Sequence, residues 1–352
     1  MQNIGKKQNL KKLGMTIAHS LFNLFVLFSS IWLCMAVWFQ EPISPLFSKI
    51  IIGLWIIFAL SVLGIHFCKI FLSRTKNILI YSFAFLCSLI WYFSIHPLQD
   101  REWNPDVAKS LSFEQHGDIV TLHNVRNFTW RTEQDFDEKW ETRTFNLNDL
   151  SGVNIITSYW MGPEIAHTLV SFDFKNSAPL TFSIEIRKEK TEEFSTLGGF
   201  FRKFELSLIA ADEKDIIYTR SNVRGEQVYF FPVAMPKPEM RALFEEYLKK
   251  SAKLENEAKW YNTLTSNCTT LVFDMIQSVS NNQLPIDYRL LASGYLPNYL
   301  YDLNALNHDW SMKTWYEKAH VNPKVKNIDD LTSEKYSKII REQLLKPKSQ
   351  AD

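Results

Sequence analysis

Along the first hundred positions the apolar residues run in three blocks separated by short polar turns. No charged side chain lies between Met15 and Phe39, and similar runs span Ile50–Cys68 and Ile78–Ile95. Each approaches the ~20 residues that carry a helix across a hydrocarbon core. The pattern therefore predicts an anchor over residues 1–98 with membrane-spanning helices at 15–39, 50–72 and 77–96. No small-residue cleavage pattern follows the first run, which argues against a cleaved signal peptide.

Beyond residue 99 the blocks give way to alternation. "DIVTLHNVRNFTW", "EIAHTLVSFDF", "APLTFSIEIRK", "KFELSLIAA" and "EQVYFFPV" read as strands, with turn residues such as "KNSAP" between them. The period then lengthens. Met240, Leu243, Phe244 and Leu248 recur at helical spacing in "PKPEMRALFEEYLKKSAKLENEAKWY", and "CTTLVFDMIQSV" places Leu271, Val272, Met275, Ile276 and Val279 on one face. Strands followed by helices imply one α+β domain over residues 99–352.

Charge adds direction. Lys6, Lys7, Lys11 and Lys12 precede the first run, and Lys69, Arg74 and Lys76 lie between the second and third. The first inter-helix loop holds only Glu41 and Lys49. The positive-inside rule then keeps the N-terminus cytoplasmic and sends the α+β domain to the far side. Up to Gln99 there are eight Lys/Arg against Glu41, so the remainder holds 31 of the 39 basic and 37 of the 38 acidic residues. A mildly acidic outer domain has no electrostatic footprint for nucleic acid. The acidic "EQDFDEKWE" and the charged "RKEKTEE" read as solvated segments.

Chemistry enters through one residue. Cys34, Cys68 and Cys87 lie in or at the ends of the apolar runs, which leaves Cys268 without a disulfide partner. "TSN" before it supplies helix-capping side chains, placing Cys268 in a first helical turn, where free N–H groups and the dipole favour a thiolate. A residue chosen for packing alone would be expected on the Leu271/Met275 face instead. A thiolate needs a base, and of the outer-domain histidines only His167 sits inside a well-patterned strand. Ala166, Val170, Phe172 and Phe174 form the apolar face of that strand; His167 and Ser171 take the polar one. If the next strand pairs with it, Glu185 shares that polar face, opposite or diagonal to His167, as the orienting carboxylate of a nucleophile–base–orienter set. The alternative is a solvated face on which the two meet by chance. Arg220, Asn222 and Arg224 in "TRSNVRGE" form a cationic cluster suited to a phosphate or carboxylate, or simply a charged loop. No HExxH, CxxC, P-loop or dinucleotide glycine pattern occurs, and no cofactor is required.

Taken together, "HNVRNFTWRTEQDF", "SYWMGPEIAHTLVSFDF", "SIEIRKEKTEEFSTLGGFFRKFEL", "DIIYTRSNVRGEQVYFFPV", "YNTLTSNCTT" and "DYRLLASGYLPNYLYDL" resemble the Lnb N-terminal periplasmic domain family. The resemblance implies a permuted papain-like or NlpC-like thiol fold, with His and acid strands first and the Cys helix last. It implies Cys268 and His167 as a catalytic pair, with Glu185 in the following strand. Asn267, Tyr261, Arg220, Asn222 and Arg224 are then candidates for substrate or oxyanion binding. The family's namesake moves a fatty acyl chain from phospholipid to the amino group of a bacterial lipoprotein. It carries its spans after the thiol domain, whereas here three precede it. The expectation is a multi-pass protein of the bacterial cytoplasmic membrane, acting as an acyltransferase on lipid or lipoprotein. A cysteine peptidase or amidase of the cell wall, and a non-catalytic envelope scaffold, are the alternatives. Aromatic loops such as "LGGFF" and "GYLPNYL" are candidates to admit an acyl chain, or core packing.

Overall fold

Three long helices are built from the apolar runs: α1 (Gln2–Gln40), α2 (Pro45–Cys68) and α3 (Arg74–Phe93). The structure is a computed structural model that describes residues 2–68, 71–280, 284–326 and 332–347. Lys69, and with it part of the expected second span, lies outside the described residues. Each helix contains a stretch long and apolar enough to cross a membrane. Some of their polar groups pair across the helices, as a hydrocarbon solvent favours. The Tyr81 hydroxyl meets the Ser29 hydroxyl at 2.7 Å and the Val26 carbonyl at 3.1 Å, and His66 Nε2 lies 3.1 Å from His19 Nδ1. The chain divides into two units, residues 1–97 with 201–203, and residues 98–200 with 204–352.

The second unit is mixed α+β. Its strands are β1 (Ser112–His116), β2 (Ile119–Arg126), β3 (Thr129–Trp130), β4 (Phe136–Asp137), β5 (Trp140–Asn146), β6 (Leu150–Tyr159), β7 (Ala166–Phe174), β8 (Leu180–Arg187), β9 (Glu205–Ala211) and β10 (Gln227–Val233). The main sheet runs β1-β2-β9-β8-β7-β6-β10, with β5 also on β2 and a short β3–β4 ribbon apart. All pairings are antiparallel except β2–β9, which meet in parallel at Arg126 and Ala211. The helices are α4 (Glu213–Tyr218), α5 (Lys237–Asn256), α6 (Cys268–Val279), α7 (Leu296–Asp302), α8 (Met312–Ala319), α9 (Asn322–Val325) and α10 (Ser333–Arg341).

Both faces of the sheet are covered. On one, α5 and α6 pack Phe244, Tyr247, Leu271, Val272 and Met275 against Val170, Phe172 and Phe182. The Phe182 and Tyr247 rings stack at 4.6 Å. On the other, α4, α9 and α10 bring Ile216, Ile217, Val325, Tyr336 and Ile340 onto Ile156, Leu169, Ile209 and Phe230. This excludes the alternative of a solvated polar face. Ser171, Thr181 and Ser183 are buried, as is His167. It also explains why β6 gives no alternating signal: its central residues are buried on both sides, so polar positions do not mark one face. Two further expectations are adjusted. Helix α5 stops at Asn256, because Lys259 and Tyr261 return to the sheet through bonds from Leu206 N–H to the Lys259 carbonyl (2.7 Å) and from Tyr261 N–H to the Phe204 carbonyl (3.0 Å). Arg187 in the charged turn is buried, its guanidinium 4.5 Å from the centre of the Trp103 ring.

Candidate active site

Local chemistry fixes where α6 begins. The Asn267 side chain accepts from the N–H groups of Thr269 (2.8 Å) and Thr270 (2.9 Å), and the Thr270 hydroxyl accepts from the Asn267 N–H (3.0 Å). This capping box makes Cys268 the first helical residue. It also corrects the expected oxyanion role of Asn267. Its N–H is held by Thr270 and its Nδ2 donates to the Thr263 carbonyl at 2.6 Å. Asn267 places the thiol instead. Asn267→Ala is expected to cost about 1 kcal/mol, a fall of roughly 3 °C in melting temperature by differential scanning fluorimetry; an unchanged melting temperature would remove the cap from the account.

Cys268 is buried and belongs to the core cluster of Leu271, Val272 and Met275, which follow it by three, four and seven residues. It therefore lies on the packing face of α6, contrary to the sequence argument that set it apart. What distinguishes it is its position at the end of that face. The β7–β8 ladder closes with Leu169 opposite Ser183, and beyond that rung β7 pairs only with β6 and β8 only with β9. At this parting the His167 ring and the Thr168 backbone N–H come close enough to the sulfur to favour its thiolate, and both Cys268 and His167 line one cavity. The Thr269 hydroxyl stands 3.9 Å from the sulfur and 3.0 Å from the hydroxyl of Thr168.

The register left open by the sequence is resolved as opposite. Continuing the ladder by two residues sets His167 across from Glu185, and His167 Nε2 lies 3.3 Å from Glu185 Oε1. Ser183 sits between them, its Oγ 2.8 Å from His167 Nε2 and donating to Glu185 Oε1 at 2.6 Å. With Nε2 held on that side, Nδ1 is the nitrogen left for the sulfur. Burial and the nearby Arg220 work against a charged ring, but the thiolate and Glu185 prevail and push His167 up to about 9. Burial raises the Cys268 thiol; the His167 imidazolium, the Thr168 N–H and the Thr269 hydroxyl outweigh it and hold the thiol below its ordinary range. Glu185 is likewise desolvated, yet His167 and Arg220 keep it well below the usual carboxylate range.

A second tier braces this set. A π-helical turn, Thr219–Val223, buries Arg220, which donates to Glu185 at 2.7 Å and to Glu226 at 3.3 Å. Glu226 in turn accepts from the buried Ser158 hydroxyl. Arg220 is thus committed to two carboxylates, which corrects its expected role as a substrate-binding cation. Asn222 is turned away: its Oδ1 accepts from Ser221 (2.7 Å) and its Nδ2 donates to the Val325 carbonyl (3.1 Å). Arg224 stays at the cavity wall, no closer than 3.8 Å to Asp106 and Glu226. Ser183, Glu226 and Ser158 were not anticipated. Ser183 was readable, lying two residues before Glu185 on the same strand face; the Glu226 link depends on the π-helical turn, which no spacing announces.

A cavity of about 350 Å³ opens over the sulfur. Cys268, His167, Glu185 and Arg220 line its polar side, and Tyr261, Trp160 and Phe194 also border it. Burial, the thiolate and Glu185 all keep the Tyr261 phenol protonated beyond its ordinary range. The Cys268 N–H, at the first helical position, has no acceptor within its helix. Of the aromatic loops, Leu197 is exposed, whereas Leu296, Tyr299 and Leu300 of "GYLPNYL" are core. Among the described residues no group of three His, Cys, Asp or Glu side chains is placed to hold a metal.

The molecule is thus a membrane protein whose second unit is an α+β domain carrying a buried Cys–His–Glu constellation. The family model of the Lnb N-terminal periplasmic domain matches residues 136–294, a stretch that contains His167, Glu185 and Cys268, and the resemblance drawn from the sequence holds there. With the three apolar helices, this fits a membrane protein with a periplasmic domain. No curated protein and no solved structure matches the chain.

Proposed function

We propose that the protein is a membrane-anchored, cysteine-dependent acyltransferase acting on lipid or lipoprotein at the outer face of the bacterial cytoplasmic membrane. The observation that carries this reading is the meeting in one cavity of Cys268, at a helix start, and His167, with Glu185 3.3 Å behind the ring. The order of His strand, acid strand and Cys helix supports a permuted papain-like domain. The lysines around the spans support a cytoplasmic N-terminus.

In this mechanism the Cys268 thiolate attacks the carbonyl carbon of an acyl ester. The oxyanion is held by the Cys268 N–H and the Tyr261 hydroxyl. Collapse breaks the ester C–O bond, and the leaving alcohol takes the proton from His167. His167, now neutral, accepts a proton from the incoming amine as the amine attacks the thioester. The second collapse forms the amide and returns the sulfur as thiolate beside imidazolium. Glu185, through Ser183, holds the ring in the orientation both steps need.

The test is intact-mass analysis of the full-length protein after exposure to phospholipid vesicles, then to a diacylated lipopeptide with a free amino terminus. An acyl adduct on Cys268 that transfers to the lipopeptide is expected. Indifference to lipid together with cleavage of peptidoglycan fragments would replace this reading with that of a wall hydrolase. Tyr261→Phe removes one oxyanion donor and should lower kcat about 10²-fold with KM little changed; equal activity would exclude the phenol.

A further inference from the structure

A second cavity, of about 740 Å³, lies beside the one over Cys268 and shares Trp160, Arg224 and Glu226 with it. Its walls come from side chains that stay out of the core. In "GYLPNYL", Tyr295 and Asn298 line this cavity while Leu296, Tyr299 and Leu300 pack inward. Tyr159 at the end of β6, Tyr229 on β10 and Tyr316 on α8 complete it. The walls are fixed to one another. The Tyr159 hydroxyl donates to the Gly294 carbonyl at 2.6 Å, and the Gly294 N–H donates to the Glu164 carbonyl at 2.9 Å. The second junction is close: a Cβ on Gly294 would stand 2.0 Å from the Pro163 carbonyl oxygen. Tyr229 meets Tyr159 and Tyr316 edge to face, at 5.5 and 5.3 Å, and stacks on His320 at 4.8 Å. The groove is thus built without a ligand.

Its chemistry is mixed in a particular way. The half-buried tyrosines and the exposed Trp160 supply flat rings, and amides stand among them. Asn298 uses its oxygen to accept from the Tyr316 hydroxyl at 3.0 Å, and the Gln227 oxygen lies 3.0 Å from His320 Nε2. That leaves two N–H donors on each amide for a ligand. Glu226 adds an acceptor, its Oε1 no closer than 3.8 Å to Arg224. A hydrocarbon chain seated here would strand these donors and acceptors. An extended peptide cannot add to the sheet either. Strand β10 is the outermost strand, but its free side is closed. The Val321 N–H donates to the Val228 carbonyl at 2.8 Å, and the Val228 N–H donates to the Asn322 side chain at 2.9 Å. Ring faces set among amide donors and a carboxylate match a pyranose sugar. One of its faces is C–H and lies on an aromatic ring; its rim is hydroxyls, each both donor and acceptor.

We propose that this groove binds a glycan, with pyranose rings against Tyr295 and Trp160 and their hydroxyls on Asn298, Gln227 and Glu226. The site is separate from the thiol and does not rest on the acyltransferase reading. The full-length protein is placed in phosphatidylcholine nanodiscs, free of sugar-headed detergent. It is then titrated with tetrasaccharides of β-linked N-acetylglucosamine, β-linked glucose and α-linked glucose. Titration calorimetry gives affinity, and saturation-transfer NMR shows which sugar protons touch the protein. At least one sugar is expected to bind with a sub-millimolar Kd, with saturation strongest on its ring C–H protons. Tyr295→Ala should weaken that binding at least tenfold. Gln227→Ala/Asn298→Ala, which leaves the aromatic walls whole, should do the same, while Cys268→Ala should stay within twofold of the unaltered protein. Binding of none of the three sugars would overturn the proposal. Binding that survives both groove variants, or that is lost in Cys268→Ala, would place the sugar elsewhere and overturn it too. Polyproline is the rival probe: if it binds and the sugars do not, the groove is a peptide site.

Discussion

Cys268→Ala is expected to abolish the acyl adduct and lower transfer by roughly 10⁴-fold or more, because no other group supplies the covalent step. The fold should survive, since removing one sulfur from a core position costs about 1 kcal/mol. The change reports on its partner as well. His167 is raised to about 9 against burial and Arg220, with the thiolate the largest influence raising it. Losing the thiolate should send the imidazole pKa down, which an NMR titration of His167 would show. The sign has a stability corollary. A histidine raised from about 6.5 to about 9 contributes stability that is whole below 6.5 and lost as pH climbs through 9. In Cys268→Ala that alkaline loss should shrink. Wild-type transfer in the variant, or an unshifted His167, would contradict the account.

Arg220→Leu should have the largest effect on stability. It leaves Glu185 and Glu226 buried without their shared cation, and breaking such an arrangement typically costs 3–5 kcal/mol, a fall in melting temperature on the order of 10 °C. The carboxylates would take up protons, Glu185 would cease to orient His167, and transfer would fall with it. Arg220→Lys should recover part of the stability, because an ammonium keeps the charge but cannot fork between two carboxylates. Full stability and activity in Arg220→Leu would remove the brace from the mechanism.

The spans, Cys268 at a helix start and His167 on a strand were legible because each depends on local pattern: an uncharged run, a capping side chain, a period of two. Three aspects were not. The polar strand face carries Ser171, Thr181 and Ser183, so it reads as wet, but α4, α9 and α10 cover it; sequence shows polarity, not what packs above it. The cationic "TRSNVRGE" was divided by a π-helical turn into a buried brace, an outward amide and a wall residue, a rotation that no spacing encodes. Asn267 was read for both capping and oxyanion binding, and its hydrogen bonds leave only the first.

The central claim, that His167 ionises Cys268, is tested most directly by the pH dependence of Cys268 alkylation with iodoacetamide, resolved by peptide mass in the full-length protein and in His167→Ala. The account predicts a half-maximal rate well below the ordinary thiol value of about 8.5, moving to or above that value once the imidazole is removed. A thiol that titrates near 8.5 or higher in both proteins would contradict it.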